Sequence, residues 1–203
     1  MNSSLDNALL DVRKAYRLLA DYQQRIIELL ALIRSDLGAE YYFRAFRNGA
    51  RDFNASIERS NNAGQSFLPM ADVSVLWRRD AGQESPEHFH RTGDLLIDAW
   101  VRSDTGNGQN GEPELSVNES TSELRIYFFL CVKPSIESNN WYAKVWNRTT
   151  YPKLGEAKTC DKTPGYRIYG EALQLTDLAD ENAVHNAVNS LRERASSKLE
   201  YAI

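Results

Sequence analysis

Leu5, Val12, Leu19, Ile26 and Ile33 recur every seven residues at the start of this 203-residue chain. Leu9, Tyr16, Leu30 and Leu37 flank that line on one side, and Ala8, Ala15, Tyr22 and Leu29 on the other. Asn7, Asp11, Lys14, Asp21, Arg25 and Glu28 fall on the opposite surface. A helix is the conformation that gathers such residues onto one face. Ser3 with Asp6 resembles a capping start, and Gly38 stands where a left-handed residue ends a helix. The spacing therefore predicts one helix over 4–37, about 50 Å long at 1.5 Å per residue. Val12, Leu19, Ile26 and Ile33 are expected to be its most buried positions. The face also takes in Ala20, Ile27 and Ala31, wider than the seam of a two-stranded coiled coil and broad enough to lie on a sheet. A helix this long outreaches a sheet of ordinary strands, so self-association through it is a further expectation.

Beyond Gly38 the period changes from helical to alternating. Glu40 to Arg47 is a short aromatic segment suited to an edge strand. Ala71, Val73, Val75 and Trp77 alternate with polar residues, as do Leu95, Ile97, Ala99 and Val101. Leu124, Ile126, Phe128, Leu130 and Val132 form a third such row, Trp141, Ala143 and Val145 a fourth, and Tyr166, Ile168, Gly170 and Ala172 a fifth. Alternation with one polar face predicts an antiparallel sheet covered on one side, and strands without intervening helices predict a meander. Between the first segments, 48–66 is polar and long for a connector, with a short helix expected at 52–59. A Gly- and Asn-rich hairpin extension is expected at 104–121. Asp180 caps a second helix carrying Val184, Ala187, Val188, Leu191 and Leu199 on one line.

Composition narrows the class. Hydrophobic residues at 42% and 21 aromatics supply a real core, so the chain is read as folded. A net charge of −4 gives no overall field for a phosphate backbone. No run approaches the length of a membrane span. The first residues lack the pattern of a signal peptide, and two isolated cysteines make no disulfide framework, so the cytoplasm is the expected location.

Chemical signatures are sparse. No GxSxG elbow or GxxxxGK[ST] phosphate loop occurs, and the GxGxxG letters at 106–111 have no helix after them. His88 and His90, in an HxH pair followed by Asp94, suit a divalent ion if the segment is extended and both rings point one way. Gly82-x5-His88-x-His90-x3-Asp94 resembles the first metal motif of the cupins over 13 residues, with Asp94 near that family's Glu. The glycine expected after the acid is missing, and no second motif with a third histidine follows. Arg44, Arg47 and Arg51, among the aromatics of 41–46, suggest stacking and phosphate contacts with nucleic acid. Seven acids offset the seven arginines of 40–91 and argue against it. Tyr142 and Trp146, read as sharing one strand face with Tyr127 nearby, form either an aromatic patch of the kind found at protein contacts or, where one of the helices covers that face, a second core.

The sequence thus predicts a single α+β domain over 1–203. A long N-terminal helix (4–37) precedes an antiparallel meander of five or six strands (67–175), and a C-terminal helix (180–200) packs with it in a two-layer sandwich. The expected function is non-catalytic: binding or regulation through protein contacts at Tyr142, Trp146 and Tyr127, with a protein partner or a second copy and no cofactor. One alternative is a metal-dependent enzyme or metal-binding protein holding a divalent ion at His88, His90 and Asp94. The other is a nucleic-acid binder using Arg44, Arg47 and Arg51.

Overall fold

A computed structural model of the chain describes residues 3–47, 71–106 and 114–203. Helix α1 runs without a break from Ser3 to Asp36. Gly38 closes it at φ +60°, donating its N–H to the Ser35 carbonyl at 3.0 Å, and the N–H of Ala39 reaches Arg34 at 3.1 Å. Glycine suits this position because a Cβ disfavours the left-handed conformation. Six strands follow, β1 (Glu40–Phe46), β2 (Asp72–Arg79), β3 (Leu95–Arg102), β4 (Glu123–Cys131), β5 (Ala157–Thr159) and β6 (Tyr166–Gln174). They pair antiparallel in the order β1-β2-β3-β4-β6-β5. Helix α2 (Glu181–Leu199) ends the fold; Asp180 caps it by accepting from the N–H of Ala183 at 2.9 Å. The α+β class, the leading helix, the antiparallel sheet and the closing helix are those expected.

Both helices lie on one face of the sheet. Ile26, Leu29, Leu30, Ile33 and Leu37 of α1 join Val184, Val188, Leu191, Ala195 and Leu199 of α2 over Val73, Trp77, Ile97, Val101, Ile126 and Phe128. The other face is buried too, which corrects the expectation of a sheet covered on one side. Leu76, Leu96, Tyr127, Phe129 and Ile168 pack beneath Trp141, Val145 and Trp146. The strands allow this because β4 reads ELRIYFFLC, apolar at both parities from Ile126 onwards, and β3 reads LLIDAWVR, with Leu96 and Trp100 beside a single buried Asp98 on its second face. Gly170 faces Tyr127 across the β4–β6 ladder, and a Cβ there would collide with the tyrosine ring.

Two element assignments change. Residues 141–148 are helical rather than a strand: a wide turn over Trp141–Val145 continues as a tight turn over Trp146–Arg148. Asn140 caps it, its side chain accepting from the N–H of Ala143 at 2.8 Å. Positions 141 and 145 fit period two and an i, i+4 helical pair equally well, and exposed Ala143 reveals the helix. The short strand β5 was not expected. The helix expected at 52–59 lies outside the described residues.

A third correction concerns α1. Ile26 and Ile33 are buried as expected, but Leu19 is half-exposed and Val12 is 48% exposed. The helix meets the sheet only from its middle onwards. There, Tyr22 donates to the Ser103 hydroxyl at 2.9 Å, and Arg25 donates to the carbonyls of Leu178 and Ala179.

Candidate functional site

The residues singled out by sequence fall into three environments. Tyr127 of the sheet and Trp146 of the helical turn belong to the core between the two and offer no open face. Tyr142 is half-exposed, stacked on Trp146 at 5.4 Å between ring centroids and 4.4 Å from Phe43 of β1. Of the three residues expected to form the aromatic patch, Tyr142 alone keeps an open edge, beside exposed Phe43.

Trp146 is held by a polar cluster that periodicity did not reveal. Asp98, in the middle of β3, is fully buried. Its Oδ2 accepts from Arg47 Nη2 at 2.9 Å, from Trp146 Nε1 at 2.7 Å and from the Tyr151 hydroxyl; its Oδ1 has no partner. Arg47 also donates to Ser74 Oγ at 2.6 Å, and its guanidinium lies 3.9 Å from the centroid of Trp100. Burial and then Asp98 push the Tyr151 phenol far up, so it stays protonated and donates. A buried carboxylate is tolerated when a cation and neutral donors converge on it. Here they tie β1, β3 and segment 141–151 together. Arg47 is thereby committed to Asp98 and the rings, whereas Arg44 is exposed on β1. Arg51 lies outside the described residues.

The two histidines face different surroundings. The loop turns at 86–88 instead of running extended, with Ser85 at φ 49° and Gly93 at φ 98°. His90 enters the core, stacked on Trp141 at 3.7 Å, its Nδ1 2.6 Å from the Tyr166 hydroxyl and its Nε2 without a partner. Burial pulls its pKa down to about 4. His88 stays half-buried, its Nδ1 3.4 Å from Ser138 Oγ. Asp94 accepts from the Arg91 N–H at 2.6 Å and from Gln83, which ties it into its own turn. Among the described residues, no three His, Cys, Asp or Glu side chains are grouped to hold a metal ion. Cys131 and Cys160 are buried and free, and burial pushes their thiols up to about 12 and about 11. Neither has the thiolate character of a nucleophile.

Among the described residues, the first half of α1 carries a row of exposed apolar side chains. Leu5, Leu9, Val12 and Tyr16 are 58%, 46%, 48% and 70% exposed, and they continue the stripe that buries Ile26 and Ile33 farther along. Leu10 and Leu18 are exposed on other sides of the same segment. The heptad spacing gave this surface away in sequence; its exposure depended on where the sheet ends. Among the described residues, no helix is long and apolar enough to cross a membrane.

A family model described as PM0109 matches residues 2–200. The chain is 39% identical over 208 residues to a protein of Pasteurella multocida (strain Pm70) described as "Uncharacterized protein PM0109", covering 100% of this chain and 99% of that one. No solved structure matches it. With the family model and the relative both matching across nearly its whole length, the chain belongs to the PM0109 family.

Proposed function

We propose that this protein acts without catalysis, through contacts that the first half of α1 makes with another polypeptide. The observation that carries the reading is the continuity of the stripe: one apolar face is core from Ile26 to Leu37 and exposed from Leu5 to Tyr16. A soluble helix that faces only water has no use for such a face. A segment of roughly this length is also marginal as an isolated helix. A covering partner supplies what both observations ask for. The half-exposed Tyr142 with Phe43 is a smaller, secondary contact surface. Two free buried thiols suit a reducing compartment, which favours the cytoplasm as the place of action.

The test is co-purification of the tagged full-length protein from its native cells, compared with Val12→Asp. Wild type is expected to retain a partner identified by mass spectrometry, or untagged copies of itself, and the variant to lose it while keeping its circular dichroism. Identical retained proteins for both chains would overturn the reading.

A further inference from the structure

We propose that the partner of this arm is a second copy of the same chain, with the two arms packed antiparallel. The inference rests on the protein-contact reading above and adds the occupant and its orientation. Leu5, Leu9, Val12 and Tyr16 form a seam of alternating three- and four-residue steps, the spacing of a two-stranded coil. Laying a second arm antiparallel, with Leu9 facing Val12 of the second copy, brings Leu5 opposite Tyr16 of that copy. Every seam position then has an apolar partner.

The flanks select the orientation. Asp6 and Arg13 stand seven residues apart on one side of the seam, and Ala8 and Ala15 stand seven apart on the other. Two helices packed antiparallel about a two-fold axis bring like flanks together. Asp6 of each copy therefore lies beside Arg13 of the other, giving two opposite-charge pairs. The alanine flanks meet on the far side, where small side chains let the helices approach. A parallel pair would set Arg13 against Ala8 of the other copy and give Asp6 no charged partner, leaving all four charges unmatched. Neither Asp6 nor Arg13 has an ion-pair partner among the described residues, whereas neighbouring Lys14 is already satisfied by Asp11 at 3.0 Å on the outer surface. Opposed helix dipoles add a further small term in favour of this orientation.

Light scattering and sedimentation of the full chain over a concentration series test the proposal. Wild type is expected to show a dimer in equilibrium with monomer. Asp6→Arg and Arg13→Asp should each weaken the dimer on the order of tenfold, because each turns two attractions into two repulsions. The double variant should recover wild-type affinity, and that recovery separates a charge effect from misfolding. Leu9→Cys mixed with Val12→Cys should oxidise to a mixed disulfide in preference to either self-disulfide. A dimer indifferent to the swaps, or one in which each cysteine variant links to itself, would overturn the antiparallel pairing. A wild-type monomer with freely exchanging arm amides would overturn self-pairing while leaving the broader reading to the co-purification result. A monomer whose arm amides are protected at every concentration would assign the cover to the chain itself and overturn both.

Discussion

Asp98 shows how one residue decides what a neighbouring segment does. In sequence it is one polar letter in β3, between Ile97 and Ala99. In the fold its carboxylate is the anchor for Arg47, Trp146 and Tyr151, three residues from two distant stretches of chain. Removing it leaves a guanidinium among aromatic rings, with an indole N–H and a phenol that have lost their acceptor. Loss of one member of a buried pair costs on the order of 3–5 kcal/mol, and the partial exposure of Arg47 places Asp98→Ala at the lower end. Urea denaturation should show a lower midpoint at unchanged m-value, corresponding to about 3 kcal/mol of lost stability. A change below about 0.5 kcal/mol, the range of ordinary surface substitutions, would mean the cluster does not hold the segment.

At the scale of elements, α1 is two helices in one. Its second half is core and its first half is surface, although the same heptad row runs through both. The energetic contrast follows from the difference in burial. Ile33→Ala removes a fully buried side chain and should destabilise the chain by about 2–5 kcal/mol. Val12→Ala, measured at a concentration where copies are dissociated, should stay within about 0.5 kcal/mol of wild type. Thermal or urea unfolding of the two variants checks this, and equal losses would contradict the division of the helix. The 141–148 turn is the opposite case: two spacings agree on its buried positions, and only the cap at Asn140 and the exposure of Ala143 distinguish helix from strand.

At the scale of the whole molecule, two histidines give stability a dependence on pH with opposite signs. His90 is neutral in the fold, with its pKa held at about 4 by burial. Between its ordinary value near 6.5 and about 4, the unfolded chain takes up a proton that the folded chain does not. His90 therefore lowers stability as pH falls through that window and has no further effect below it. His185 is raised by its hydrogen bond to Asp36, with Glu181 adding to the shift. Its contribution is complete below the ordinary histidine value and is lost as pH rises through its folded pKa. His90→Phe should thus flatten the fall in stability between about pH 6 and 4, and His185→Gln should remove the part near neutrality. Denaturant midpoints from pH 4 to 8 for the three chains check both signs. An unchanged acid slope in His90→Phe would show that the imidazole is not buried neutral.

Local order alone determined the α+β class, the continuous helix with its stop at Gly38, the edge strand β1 and the capped closing helix. Each of these depends on periodicity, caps and glycine conformation over a few neighbouring residues, and such terms can be read along a line. Tertiary structure decided what covers what. Tyr127 and Trp146 are aromatic in any reading, but whether they face solvent depends on segment 141–151 folding back onto the sheet and hooking Asp98. His88 and His90 have the spacing of a chelating pair, but one loop turn drives a single ring into the core beside Trp141 and Tyr166. Val12 and Ile33 hold equivalent places in the same repeat, and the edge of the sheet, set by strands distant in sequence, buries one and exposes the other.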